Sequence, residues 1–184
     1  MREDFFSKLY VVLISIVGFI NVESVIDIVG AQWYYLSIVN SIGLLYVFTT
    51  KISRKNFDVS FFFKNPQNTF YFLFFIFCLI SIITSINLSV SLIAISKIFI
   101  SLSSLIILSQ LKSFKNSTEF IATLFTIYLA IEVYLSLKGY FDITAVTEFK
   151  KSMAEIFMMG TTGNKNVTAA SIAFKTPFAY LLVR

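Results

Sequence analysis

Apolar and polar positions alternate along this chain in long blocks rather than in short periods. Runs of about 20 mostly apolar residues, the length that crosses a hydrocarbon core, occupy 5–22, 33–52, 69–86, 92–111, 120–137 and 167–183. The pattern predicts an all-α fold, a polytopic transmembrane helix bundle of six spans, with one long connection at 138–166. The first run follows Arg2 and Lys8 as a signal peptide would. Glu3 and Asp4 interrupt that basic flank, however, and no small-x-small cleavage site follows Ile20, so the run reads as a retained anchor.

Composition sharpens this picture. Of 184 residues, 57% are hydrophobic and 14% charged, with 22 Phe and 9 Tyr and a mean hydropathy of +0.82. A soluble domain carries roughly 25% charged residues, so this chain has too few to cover a water-facing surface. Disorder is excluded as well, because it needs low hydrophobicity and high charge. A single cysteine and no histidine leave no disulfide framework, thiolate zinc site or Ser/His relay within these residues. Cys78, in mid-span, reads as a small buried apolar residue.

The net charge of +5 and pI near 9.3 have a membrane explanation. Arg2 and Lys8 precede or open the first span; Lys51, Arg54, Lys55 and Lys64 lie between spans two and three, and Lys112 and Lys115 between four and five. The connections at 23–32 and 87–91 hold no Lys or Arg. The last connection holds four, Lys138, Lys150, Lys151 and Lys165, but it is the longest, and Asp142, Glu148 and Glu155 accompany them; by the positive-inside rule the N-terminus is expected to be cytoplasmic and 138–166 outside. The basicity is then no sign of nucleic acid, and no basic-aromatic interleaving argues otherwise. The Phe-dense stretches 61–63 and 70–77 read as lipid-facing bulk, and Trp33, Tyr34 and Tyr35 as an interfacial belt. Ser89, Ser96 and Ser103, seven residues apart, suggest a close helix contact.

Ionisable groups inside spans are costly, and each is a functional hypothesis. Three qualify: Lys97, Glu132 and Lys175. Counting from the outer ends of their spans places Lys97 and Glu132 about 9 Å deep and Lys175 about 12 Å deep, at 1.5 Å per residue. They share the outer half of the bilayer. On one reading Glu132 neutralises a lysine between packed helices while the other lysine snorkels. On the other, the surplus positive charge lines a cavity for an anionic headgroup such as a pyrophosphate.

The segment Gly160-Thr-Thr-Gly-Asn-Lys-Asn166 precedes the sixth span. Asn164 or Asn166 can cap the helix that follows. The free N–H groups of that helix start, together with Lys165, offer a corner for an anion. A capped helix start with no ligand explains the same residues. It is neither a Walker A loop nor a dinucleotide fingerprint, since no strand precedes it. Pro177, ten residues into the span, is expected to kink the helix or break its hydrogen-bond ladder. Glu23 and Asp27, four apart, share a face if their stretch is helical and could then serve as a general base or bind an acceptor, but a solvated outer turn explains them better. Asn87-Leu-Ser and Asn166-Val-Thr match the glycosylation sequon.

Residues 158–178, Met-Met-Gly-Thr-Thr-Gly-Asn-Lys-Asn-Val-Thr-Ala-Ala-Ser-Ile-Ala-Phe-Lys-Thr-Pro-Phe, resemble the Gly-Asn-x-Asn segment of the bacterial O-antigen ligase and O-antigen polymerase family. Residues 25–37, Val-Ile-Asp-Ile-Val-Gly-Ala-Gln-Trp-Tyr-Tyr-Leu-Ser, resemble the first outer loop of its Bacteroidetes-type members. The resemblance implies a GT-C-like, metal-independent glycosyltransferase of the bacterial inner membrane, with no cofactor. Such an enzyme transfers a glycan from an undecaprenyl-pyrophosphate carrier to an acceptor sugar, lipid A core for the ligases, in cell-envelope polysaccharide biosynthesis. It implies that Lys97, Lys165 and Lys175, with Asn164 and Asn166, hold the pyrophosphate, and that Glu132 is their charge partner. Family members carry about ten to twelve spans and a later outer loop with catalytic Arg and His. The chain is therefore expected to be the N-terminal part of a longer protein, inactive by itself. A transporter or flippase component for lipid-linked glycans, or a purely structural bundle, uses the same charges without chemistry.

The topology has a direct test. In a Cys78→Ser background, single cysteines replacing Ala145 and Thr162 are expected to react with an impermeant thiol reagent applied from outside, and one replacing Asn56 is expected not to react. The reverse pattern contradicts the assigned orientation.

Overall fold

The computed structural model describes residues 2–20, 28–52, 59–111, 116–144 and 165–183. Every regular element among them is helical. In chain order they are α1 (Arg2–Ile16), α2 (Ile28–Val47), α3 (Val59–Lys64), α4 (Pro66–Ser81), α5 (Leu88–Gln110), α6 (Ser117–Thr144) and α7 (Lys165–Val183). A 3-10 turn, Val17–Phe19, follows α1, another, Ile82–Thr84, follows α4, and a π-turn, Phe48–Ile52, ends α2. Three stretches are long and apolar enough to cross a membrane: Pro66–Thr84, Leu88–Gln110 and Ser117–Asp142. The chain is an all-helical membrane protein.

Local chemistry explains where the helices begin. Asn65 caps α4 by accepting the Gln67 N–H at 3.0 Å, and Pro66 takes the first helical position, where a missing N–H costs nothing. Asn87 caps α5 in the same way, accepting from Val90 N–H at 3.2 Å. Asn116, just ahead of α6, holds φ 59°, a left-handed conformation that asparagine tolerates better than most side chains.

Several boundaries differ from those read off hydropathy. Helix α2 begins at Ile28, so Trp33, Tyr34 and Tyr35 lie within it. Helix α6 runs to Thr144, so the first residues of the 138–166 connection are helical, and the 53–68 connection contains α3. Polar residues near a helix end do not stop it, because its hydrogen bonds are internal. The chain of α7 stays helical through Pro177 to Val183. Proline still removes one N–H, so the Ala173 carbonyl lacks its usual helical donor.

Two compact units divide the chain. The first comprises Met1–Ile14 and Trp33–Ser113; the second comprises Ser15–Gln32 and Phe114–Arg184. In the first, Tyr10, Val39, Val47 and Ile107 form the core, with Phe6, Leu13, Ile14, Tyr35 and Leu111 against it. The Phe6 and Tyr46 rings stack at 3.6 Å. One buried asparagine ties three helices together. Asn40 Oδ1 on α2 accepts from Tyr10 Oη on α1 at 2.8 Å and from Ser104 Oγ on α5 at 3.0 Å. Its Nδ2 donates to the Ile100 carbonyl and to Ser103 Oγ, both at 2.7 Å. Both hydrogens and both lone pairs of the amide are used.

Of the serine stripe on α5, Ser103 alone is buried; Ser89 and Ser96 are exposed. The close helix approach falls instead at Gly43, where an added Cβ would lie 2.7 Å from a Tyr10 ring carbon and 2.9 Å from Ile107 Cδ1. Helix α4 buries none of its residues; Phe70, Phe74, Phe77 and Ile80 are exposed along it, as is Ile83 in the turn that follows. Phe62, from the same Phe-rich region, is buried. Cys78 is half-buried rather than buried.

Ile107 is fully enclosed and has no room to retreat. Gly43→Ala is therefore expected to lower stability by about 1–3 kcal/mol, the usual range for overpacking. Gly18→Ala, where an added Cβ meets nothing within 4 Å, serves as the near-neutral control. Denaturant unfolding in mixed micelles measures both; equal effects contradict the packing described.

Candidate functional site

In the second unit α6 and α7 lie antiparallel along a long shared face. Phe125 stacks on Phe178 at 4.7 Å and meets Phe174 edge-on at 6.2 Å, closing one end of that face with apolar area. Further along, α6 turns Tyr128, Glu132 and Ser136 inward at four-residue intervals, and α7 presents Thr168, Ser171 and Lys175. These spacings put each set on one helical face. The register that pairs Glu132 with Ser171 sets Ser136 level with Thr168. The result is a polar strip inside an otherwise apolar helix pair.

Its centre is an ion pair. Lys175 Nζ lies 2.5 Å from Glu132 Oε1 and donates to Ser171 Oγ at 2.8 Å. Ser171 Oγ in turn donates to Glu132 Oε1 at 3.0 Å. The glutamate is 3% exposed and the lysine 9%. The ammonium stands 5.6 Å from the centroid of the Phe19 ring, which itself packs on Tyr128 at 4.9 Å. A carboxylate, a hydroxyl and an aromatic face thus surround this lysine. The 3-10 turn Val17–Phe19 supplies the ring, and Gln32 Nε2 holds that turn's end through the Ile20 carbonyl at 3.4 Å.

Depth explains why the pair must be closed. Glu132 is ten residues, about 15 Å, from the Asp142 end of its apolar stretch, and Lys175 is ten residues, about 15 Å, from the start of α7. Glu132 is thus half a hydrocarbon thickness into a membrane-length stretch, deeper than the 9 Å read from the hydropathy boundary, and Lys175 meets it from the middle of α7. A lone ion there costs several kcal/mol. Two acceptors remain unpaired in the strip: Glu132 Oε2 and Ser136 Oγ, both shielded from solvent.

Comparison with protein-family models, with curated proteins and with solved structures found no match.

The other residues of the sequence-derived site fall elsewhere. Lys97 stands half-buried on α5 in the first unit. Lys165 is the first residue of α7, and Asn166 is exposed in its first turn. Asn164 lies outside the described residues, as do Glu23 and Asp27. Lys175 and Glu132 are brought together; Lys97 and Lys175 belong to separate units. No three His, Cys, Asp or Glu side chains cluster among the described residues. Ser171, Ser136, Phe19 and Tyr128 were not singled out from the sequence. Ser171 sits four residues from Lys175 and Ser136 four from Glu132, and that spacing was the available signal.

Breaking one side of a buried pair leaves an uncompensated charge, worth about 3–5 kcal/mol. Lys175→Met and Glu132→Leu are each expected to destabilise by that amount, and the double variant by clearly less than their sum. A thermodynamic cycle on the four proteins checks this; additive effects contradict a direct pair.

Proposed function

We propose that the chain is the donor-binding part of an O-antigen ligase- or polymerase-like glycosyltransferase in the bacterial inner membrane. It takes a glycan from undecaprenyl pyrophosphate at the outer face and passes it to an acceptor sugar. In this reading six spans cross the membrane, the N-terminus is cytoplasmic, and the 138–166 region faces outward. The observation that carries it is the junction at Lys165. The Gly160-to-Asn166 segment leads directly into α7, the helix that also bears Lys175. Its resemblance to the ligase and polymerase segment extends through Phe178, and the resemblance of residues 25–37 supports it.

The chemistry follows from charge. In the transfer, the acceptor oxygen bonds to the anomeric carbon, the carbon–oxygen bond to the pyrophosphate breaks, and the electron pair leaves on the diphosphate. Ammonium groups stabilise that leaving group as its charge develops. Lys165 and the first-turn N–H groups of α7 meet the phosphates at the helix start, with Asn164 and Asn166 adding amide donors. Lys97, on α5 of the other unit, is a candidate cation by the resemblance alone. Lys175 rests on Glu132 and engages the anion by exchanging one acceptor for another, so that no bare ammonium is exposed to hydrocarbon in the resting state. A base for the acceptor proton is not among the residues assigned.

A second reading has one specific observation in its favour. Lys175 is fully engaged by Glu132, Ser171 and the Phe19 ring, which is what a structural staple between two helices needs. On that reading the buried charges hold α6 to α7 and bind nothing.

Lys165→Ala and Lys97→Ala separate the two. Introduced into the chain within its complete reading frame, each is expected to lower glycan transfer at least about tenfold, as for loss of one charge-assisted contact, with membrane insertion unchanged. Wild-type transfer in both variants supports the staple and rejects the donor site.

A further inference from the structure

A groove of about 410 Å³ opens in the first unit, lined by Lys64, Asn65, Asn68, Leu105, Leu108 and Ser109. It belongs to none of the residues assigned above. Its position is set by two helix ends. Pro66, the first residue of one membrane-crossing stretch, adjoins it on one side, and Gln110, the last residue of the next, adjoins it on the other. Two antiparallel spans beginning and ending at one level put the groove at the boundary between hydrocarbon and headgroups, whichever leaflet that is.

The lining is graded. Leu105 and Leu108 lie within the α5 span and form its apolar wall. Lys64, Asn65 and Asn68 gather at the turn that joins α3 to α4. Their donor inventory indicates what the polar end accepts. Ser109 is spent, since its hydroxyl donates to the Ile106 carbonyl at 2.7 Å. Asn65 uses its carbonyl oxygen to cap α4, which leaves its amide N–H₂ uncommitted among the described residues. Asn68 gives one hydrogen to the Phe62 carbonyl at 3.3 Å and keeps the second. Lys64 is exposed and brings a full positive charge. The polar end is thus rich in donors beside a cation, with an apolar wall toward the membrane interior. The sequence adds Lys112 and Lys115 within five residues of Gln110, and Lys51, Arg54 and Lys55 ahead of α3.

We propose that this groove binds the phosphate headgroup of an anionic membrane phospholipid. The phosphate takes the Lys64 ammonium and the free amide hydrogens of Asn65 and Asn68, and the first part of the acyl chains lies on Leu105 and Leu108. A zwitterionic lipid brings its own cation close to Lys64 and is disfavoured. Basic pockets between transmembrane helices recognise acidic lipids on this principle. The site is independent of the glycan-transfer reading, because it uses neither α6 nor α7.

The test uses the full 184-residue chain in phosphatidylcholine vesicles doped with spin-labelled phosphatidylglycerol or spin-labelled phosphatidylcholine. Electron paramagnetic resonance gives the relative association of the two probes with the protein. Wild type is expected to favour phosphatidylglycerol about fivefold, the effect of one lysine at an acidic headgroup. Lys64→Gln brings the ratio close to one, Lys64→Arg preserves it, and Lys138→Gln, an exposed lysine outside the groove's lining, leaves it unchanged. Four outcomes overturn the proposal: no preference in the wild type, preference retained in Lys64→Gln, equal loss in Lys138→Gln, or displacement of the lipid by millimolar inorganic phosphate, which identifies a free-anion site.

Discussion

Polar side chains surrounded by apolar helices have no water to fall back on, so each must find its partner in another side chain or the backbone. That constraint organises both units. In the first, Asn40 spends its entire amide on α1 and α5, and the core of Tyr10, Val39, Val47 and Ile107 assembles around it. In the second, Glu132 and Lys175 answer each other across α6 and α7. Hydrophobic burial alone gives apolar helices in lipid little reason to choose one neighbour over another, because lipid tails are as apolar as leucine. Directional polar contacts and close approach at small residues such as Gly43 supply that choice.

The same constraint shapes what the second unit can do. A carboxylate buried midway along a membrane-length helix is tolerable only with a counter-ion, and Lys175 provides it, with Ser171 completing the triangle. The arrangement is lopsided: one carboxylate oxygen takes both hydrogen bonds, while the other, like the neighbouring Ser136 hydroxyl, has none.

Much of the fold was legible in the sequence because hydrocarbon thickness dictates how long an apolar run must be. The runs at 69–86, 92–111 and 120–137 correspond to α4, α5 and α6. Their ends were less legible: hydropathy drops at Lys138, yet the α6 backbone continues to Thr144, since a helix end is decided by capping and not by polarity. The charges of the candidate site were visible as lone ionisable residues in apolar runs. Which of them meet was not, because pairing depends on helix register and on which helices pack. Asn40 went unnoticed for a related reason. A neutral amide inside a span looks inexpensive, and its value emerges only when Tyr10, Ser103 and Ser104 arrive from elsewhere in the chain. Phe19 was invisible as a site residue, since nothing in a phenylalanine's neighbours in sequence announces that its face will meet an ammonium.

The claim on which the account stands is that Glu132 and Lys175 are in direct contact between α6 and α7. Solid-state NMR of the chain in lipid bilayers, with ¹⁵N at the lysine side chain and ¹³C at the glutamate carboxyl, reads that contact as a dipolar coupling. A strong Lys175–Glu132 coupling, as a 2.5 Å Nζ–Oε1 separation demands, is the result predicted. Its absence, with both residues otherwise ordered, contradicts the account.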